Sequence, residues 1–591
     1  MANEGRSTGE NGSARYDSTE SGPELIVIAK ADAELRANAT EVASAAGAGV
    51  SELNDLLSAE QVQMESLFDE SEERLKQEAA ELVPSSESPV PDLSVYYRIP
   101  TEPDRMEGLA ERFRHLGVVD GAYVQPRSSA PVEVGAPGEG EAAEVQERVI
   151  NEMEPKVGEA PPASPNFQSR QGYLGAAPEG IDALWAHTQR GGRGYGVRMV
   201  DLEWGWRFTH EDLRRNQGGV LAGANASADN HGTAVLGEIG GDVNDFGVLG
   251  IAPDCHQSAV SFTTLPTATA IRTAANRLRR GDIMLLEIHR AGPNSRRGRG
   301  QFGYIAIEWW PADYDAICYA VARGVLVVEA AGNGFQNLDD PIYDQPQAGF
   351  PDSWSNPFRR GGRDSGAILV GAGAPPPGTH GRDHGPDRSR LAFSNYGRAV
   401  DAQGWGREVT TCGYGDLQGG RSRDLWYTDR FSGTSSASPI VVGALASTQG
   451  VLRARGRTPL SPVRARSLLR ATGSRQTNAP GRPRSQRIGN RPNLRHLIPR
   501  ALSTRDWIGV QFRGTVPANR TVRWFTYNWP AQWHVDWTVV PTTPDRGARQ
   551  IRWHVEVERA SHSRVTYWIV VTNQTATPVQ VEGRYAVHGE T

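Results

Sequence analysis

The feature that most constrains the fold is an alternation running from about residue 168 to 475. Short apolar strand-like runs are separated there by helical stretches. YGVRMVDLE (195–203), IMLLEIH (283–289), GVLVVEAAG (324–332) and GAILVGAG (366–373) read as buried strands. HGTAVLGEIGG (231–241), 311–323 and 436–456 read as helices. Repeated strand–helix units predict a mostly parallel sheet covered on both faces, a three-layer α/β domain. Two arginine-, glycine- and proline-rich stretches, 351–365 and 374–390, read as surface loops within it.

The flanks differ. Residues 1–23 are polar and Gly/Ser-rich and read as a disordered tail. Residues 24–127 combine strands near 24–30, 94–99 and 119–126 with helical segments, which predicts a small α/β domain. Residues 128–167 are rich in Pro, Gly and Glu and read as a linker and candidate processing region, with a short helix at 144–149. Residues 476–503 read as a connector. From 504 to 591 short alternating runs predict an all-β, sandwich-like domain. Seven of the fifteen tryptophans fall there, either lining its core or forming a binding face.

The charge balance is 63 basic against 69 acidic residues, a formal charge of -6. That argues against a nucleic-acid binder that works by neutralising phosphates. Three cysteines exclude a disulfide-dense scaffold, and no close pair suggests a zinc ribbon. No apolar run is long enough to span a membrane, and the first residues show no basic start followed by an apolar stretch.

In the middle domain, polar residues stand where strands meet helices, the place where open α/β sheets gather reactive groups. Asp201 closes a strand, His231 opens a helix, and Ser435 sits in FSGTSSASP at the entry to the longest helix. Serine needs a base to become a nucleophile, and histidine can serve near neutral pH. A buried carboxylate can fix the imidazole tautomer. Asn333, in EAAGNG, can donate a side-chain N–H to a developing oxyanion, with the backbone N–H of Ser435 as second donor. Gly332 and Gly334 would permit a sharp turn and close approach of a substrate backbone.

VDLEWG, NHGTAVLGEIGG, VVEAAGNG and FSGTSSASP resemble, in order, the signature blocks of the subtilisin-like serine peptidases. LAFSNYG (391–397) and IAPDC (251–255) extend the likeness. The resemblance implies Asp201 as orienting acid, His231 as general base and acid, Ser435 as nucleophile and Asn333 as oxyanion donor. It implies a peptide or protein substrate, an acyl-enzyme, and no cofactor for the chemistry. Calcium in surface loops is a family habit; the acidic residues at 339–344 and near Asp242 and Asp245 show no full ligand code. The 24–127 domain resembles the propeptide inhibitors of these enzymes, with GAYVQP (121–126) as the strand entering the cleft; an ordinary docked domain is the alternative. The family is often exported, whereas this chain shows no signal peptide. The expectation is therefore a soluble prokaryotic protein, cytoplasmic or exported by another route. A catalytically latent binding or scaffolding protein and an esterase or transacylase are the competing functions.

The chain departs from the family beside the specificity pocket. A Ser-Leu-Gly-like strand is expected there, and LLEIHRAGP (285–293) stands in its place, putting Glu287, Ile288 and His289 against the substrate. Glu329 lies in an otherwise apolar strand, and Glu238 on the helix of His231. A carboxylate in such a place needs a partner or a proton. Glu287 or Glu329 could line a pocket for a basic residue, join a buried network with Arg290, His289 or another group, or point to solvent at strand ends.

Overall fold

The computed structural model describes residues 22–38, 41–83, 88–131, 163–296, 299–503, 507–544 and 549–590. The expected tail over 1–23 falls almost wholly outside these residues, as do most of the 128–167 linker and its helix at 144–149.

The N-terminal unit runs β1 (Glu24–Ala29), β2 (Leu35–Ala37), β3 (Val42–Ser44), α1 (Ser51–Glu60), β4 (Glu65–Ser66), α2 (Glu72–Leu82), β5 (Tyr96–Arg98), α3 (Pro103–Arg114) and β6 (Val119–Gln125). Its main sheet has the order β4-β5-β1-β6, and β1 pairs antiparallel with both neighbours. ELIVIA forms a strand because its apolar residues are wanted on both faces. Leu25 and Val27 pack under α1 and α3, while Ile26 and Ile28 face the next unit. GAYVQP therefore belongs to this sheet. The segment that reaches the next unit is β7 (Ser128–Ser129), directly after it in the chain.

The central unit contains α4 (Ala183–His187), β8 (Arg198–Glu203), β9 (Gln217–Ala222), α5 (Asn230–Gly240), β10 (His256–Ser261), α6 (Thr267–Arg277), β11 (Ile283–Leu286), β12 (His289–Ala291), β13 (Tyr304–Ala306) and α7 (Pro311–Ala322). It continues with β14 (Leu326–Ala330), β15 (Ile368–Gly373), β16 (Val400–Trp405), β17 (Val409–Cys412), β18 (Tyr427–Phe431), α8 (Thr434–Ala454), α9 (Pro462–Thr472) and α10 (Leu494–Leu502). Seven strands make one parallel sheet, β16-β15-β14-β11-β8-β10-β9. Successive strand residues go to opposite cores. Met199, Leu285 and Val328 pack with α5 and α8, whereas Val200, Met284 and Val327 pack with α6 and α7. This is the three-layer α/β architecture the alternation predicts.

Residues 476–503, expected as a connector, contribute α10, whose Leu494, Leu497 and Ile498 are buried in the same core as α8. Its apolar residues recur at helical spacing, so it folds back rather than bridging. The stretch 351–365 is not only surface loop either, since Trp354 and Phe358 are buried against Trp309 and Tyr343.

The N-terminal sheet lies across α6 and α7. The Tyr96 hydroxyl donates to Asp315 at 2.5 Å, Arg272 to Glu78 at 2.8 Å, and the Ala312 N–H to the Tyr123 hydroxyl at 3.1 Å. The C-terminal unit is a sandwich of two antiparallel sheets, β19 (Trp507–Val516), β24 (Val579–Glu590) and β21 (Trp533–Pro541) against β20 (Thr521–Pro530), β23 (Arg564–Asn573) and β22 (Ile551–Arg559). Trp529 and Trp537 are in its core, and Trp524, Trp533 and Trp553 pack partly buried against it. Core packing accounts for these five.

Candidate active site

Two strands of the parallel sheet end where two helices begin. β8 carries Asp201 and Glu203, two residues apart and therefore on one face of the strand. That face looks toward α5, where His231 is the second residue. β14 leads into the Ala-Ala-Gly-Asn turn of Asn333, and α8 begins at Thr434 with Ser435 next. The structure brings His231, Asn333 and Ser435 to this end of the sheet, all buried.

The acid side differs from expectation. Nδ1 of His231 is 2.7 Å from Oε2 of Glu203, not from Asp201. Asp201 stands behind, its Oδ2 accepting from Trp206 Nε1 at 2.7 Å. Trp206 is held in turn by Asn225, which accepts from its backbone N–H at 2.8 Å and donates to its carbonyl at 2.9 Å. Gly232 makes room for the indole, since a Cβ there would fall 2.5 Å from Trp206 Nε1. In VDLEWG a glutamate reaches one methylene further than an aspartate, which lets Glu203, at the strand end, cover the imidazole. The Asp-x-Glu spacing was the available signal for it.

Burial holds the His231 imidazole down to about 4, so the ring is neutral near pH 7. Nε2 of His231 makes no hydrogen bond among the described residues. Its ring packs edge-on to Phe431, centroids 5.4 Å apart.

Asn333 is oriented for donation. Its Oδ1 accepts from both the backbone N and the Oγ1 of Thr434, each at 2.9 Å, which turns Nδ2 away from α8. Nδ2 is buried and has no partner among the described residues. A buried unpaired amide is costly, so it marks a place where an acceptor belongs. Gly433 adopts φ of 104°, and a Cβ there would lie 3.0 Å from both Asn333 Nδ2 and the carbonyl oxygen of Pro131.

That carbonyl belongs to the N-terminal unit. β7 pairs antiparallel with β12, Ser129 opposite His289 and Ser128 opposite Arg290. Gln301 Nε2 donates to the Ala130 carbonyl at 2.8 Å. Two residues beyond the paired strand, the Pro131 carbonyl accepts from Ser435 Oγ at 3.2 Å. The edge of β12 thus holds a peptide whose carbonyl sits on the serine. Nothing in the sequence singled out residues 128–131, because the segment has no strand of its own until β12 supplies the partner.

The expected substrate-facing residues divide. His289 is fully buried, 4.9 Å centroid to centroid from Tyr304, and burial lowers it to about 3. Gly332, with φ of 94°, lies against it, since a Cβ would come 3.2 Å from His289 Nδ1. Gly334 is pressed on the Tyr304 backbone, and Ile288 is core. Glu287 points to α8. Its Oε1 is 2.5 Å from Ser438 Oγ, which also donates to the Thr434 carbonyl at 2.7 Å. Ser438 has one proton, so a neutral Glu287 that donates to it satisfies both bonds. Burial pushes Glu287 well up, consistent with that form, and burial does the same to Glu238 close by. Glu329 is in a separate buried cluster, accepting from the Glu308 N–H at 3.3 Å beside Arg360. For these two glutamates the solvent-exposed reading does not hold.

Arg290 is fully buried and faces the N-terminal unit. It donates to Asp313 at 2.8 Å, to Thr267 at 2.6 Å and to the Pro126 carbonyl, with Glu24 at 3.7 Å. The acidic loops do not converge on a cation. Asp340 caps the Ile342 N–H, Asp344 pairs with Arg359, and Asp242 accepts from the N–H groups of Arg214 and Arg215. Among the described residues no group of three His, Cys, Asp or Glu could hold a metal. Cys255, Cys318 and Cys412 are free and buried.

Residues 208–489 match the Subtilase family model, a span that contains His231, Asn333 and Ser435 and begins after Asp201 and Glu203. Alkaline elastase YaB of Bacillus sp. (strain YaB) is 30% identical over 277 residues, covering 46% of this chain and 59% of that protein. The intracellular serine protease of Paenibacillus polymyxa is 26% identical over 306 residues, covering 46% of this chain and 72% of its own. Among solved structures, the epidermin leader peptide processing serine protease from Staphylococcus aureus aligns with a TM-score of 0.46 at 16% identity, over 82% of this chain and 100% of that one.

Proposed function

We propose that this chain, which carries a subtilase-family catalytic domain, is a serine endopeptidase made with its own inhibitor. Ser435 attacks the carbonyl of a peptide laid antiparallel along β12. Its proton passes to Nε2 of His231, which then hands it to the leaving amine. The oxyanion is met by Asn333 Nδ2 and the backbone N–H of Ser435, which as the second residue of α8 has no helical acceptor. Water, deprotonated by His231, releases the acid product and restores Ser435.

The observation that carries this reading is the seat of the Pro131 carbonyl, within hydrogen-bond distance of the Ser435 hydroxyl and beside the unpaired Asn333 amide. Residues 128–131 lie as the acyl half of a substrate would, and residues 24–131 act as the intramolecular inhibitor. The chain first cuts after Pro131.

Two measurements test it. Incubation with a fluorophosphonate is expected to modify one peptide, the one containing Ser435, and N-terminal sequencing of matured material is expected to read Val132 onward. Modification elsewhere, or none after the N-terminal unit is cleaved away, overturns the reading. Asn333→Ala is expected to lower kcat by about 10²–10³-fold, about 3–4 kcal/mol, with KM little changed, because the amide meets charge that exists only in the transition state. Steady-state kinetics on a chromogenic peptide check this.

A further inference from the structure

We propose that the group orienting His231 is a pair of carboxyls sharing one proton, with Glu203 as the anionic member on Nδ1 and Asp201 as its neutral, proton-donating partner. The proposal rests on the peptidase reading and extends it to the acid.

The contacts distribute as such a pair requires. Glu203 Oε2 is taken by His231 Nδ1 at 2.7 Å and Asp201 Oδ2 by Trp206 Nε1 at 2.7 Å. The two remaining oxygens, Asp201 Oδ1 and Glu203 Oε1, are buried and receive no donor from any other described residue. Asp201 and Glu203 stand two residues apart on one face of β8, which puts the two carboxyls side by side. Two ionised carboxyls side by side repel each other, and a proton held between them relieves that repulsion. One proton on Asp201 Oδ1, donated to Glu203 Oε1, satisfies all four oxygens.

The order of ionisation agrees. Burial raises both groups, Glu203 to about 8, and burial together with the neighbouring Glu203 carboxyl pushes Asp201 well above the usual range. Glu203 therefore gives up its proton first, and the one-proton pair is the form present above about pH 8. The other titratable groups around the pair are His231 itself, Tyr414 near Glu203, and the buried Glu287 and Glu238, both held up by burial. Among the described residues no arginine or lysine is one of the main charges acting on Glu203 or Asp201. A site without a cation tolerates one negative charge opposite a forming imidazolium far better than two.

During acylation the Ser435 O–H bond breaks as the Oγ–carbon bond forms, and the proton lands on Nε2 of His231. The Nδ1–H stays on the ring, directed at Glu203, and the Asp201 proton stays between the carboxyls. Glu203 and Asp201 are positioning residues, since neither touches the substrate.

The pair inverts the usual amide test. Asparagine at 201 is isosteric with a protonated aspartate, its NH2 donating to Glu203 and its oxygen accepting from Trp206. Asp201→Asn, read after the N-terminal unit has been cleaved away, is expected to keep fluorophosphonate labelling within about 10-fold of wild type and to leave the acid limb of its pH profile in place. Glu203→Gln is expected to slow labelling by about 10⁴-fold, the cost of presenting the wrong group to Nδ1. It should also move the acid limb downward, because the anion that favours imidazolium is gone.

A readout independent of activity is the low-field proton resonance of the His231 Nδ1–H in 15N-histidine-labelled protein, expected to persist in Asp201→Asn and to vanish or move upfield in Glu203→Gln. Collapse of labelling and loss of the resonance in Asp201→Asn overturns the proposal, as does an equal loss in both variants. Should Glu203→Gln fail to fold, Asp201→Asn alone decides. Should the wild-type chain take no label after its N-terminal unit has been cleaved away, the peptidase reading fails, and the resonance still reports which carboxyl holds Nδ1.

Discussion

Alanine at Ser435 or at His231 is expected to lower peptide hydrolysis by about 10⁶-fold, with the double variant little worse than either single one. The two side chains act as one device. Without the hydroxyl there is no acyl-enzyme, and without the imidazole the hydroxyl keeps its proton at neutral pH. Substrate affinity should hardly move, since β12 binds peptide backbone through residues that neither substitution touches. The measurement is kcat and KM for the two single variants and the double variant on one peptide, after the N-terminal unit has been removed in trans by another protease. A fall of less than about 100-fold in either single variant would assign the chemistry elsewhere.

Arg290→Ala is expected to be the most damaging substitution outside the reacting groups. Arg290 is fully buried between Asp313, Thr267, Glu24 and the Pro126 carbonyl. Removing it strands Asp313, which is also fully buried, without its counter-ion. Breaking one half of a buried ion pair costs about 3–5 kcal/mol, mostly the penalty of the charge left behind. The thermal midpoint of the full-length chain should fall by several degrees, and the 128–131 segment, held from Arg290 at its start, should become cleavable by added protease. The double variant Arg290→Met, Asp313→Leu is expected to recover most of the stability, because it removes both charges together. Calorimetry with limited proteolysis tracks both effects. Equal midpoints for the single and double variants would show that the pair is not what matters there.

Much of the site was legible in the chain because its signals are local. Strand period, glycine turns and a helix-opening serine are each written within about ten residues, so neighbouring residues alone reveal them. That is why β8, α5, β14 and α8 stand close to where the pattern predicts them, and why His231, Asn333 and Ser435 converge. The two glutamates in apolar strands were visible as anomalies. Which partners they had was not, because Ser438 lies 151 residues from Glu287 and Glu308 lies 21 from Glu329.

The acid shows the limit most sharply. Asp201 and Glu203 share one strand face, so either could reach the imidazole by pattern alone. The choice depends on where α5 sits above the strand and on Trp206, folded back by Asn225, claiming Asp201 for itself. The segment seated on Ser435 is the second case. Residues 128–131 have linker composition, and GAYVQP is the better strand, so pattern favours the wrong segment for the cleft. The β1 edge takes GAYVQP, and the open edge of β12 takes Ser128 and Ser129. Periodicity and turn chemistry determined the layers and where His231, Asn333 and Ser435 stand at their ends. Strand pairing and the competition for buried hydrogen-bond donors, both set by residues far apart in the chain, decided which carboxyl faces His231 and which peptide rests on Ser435.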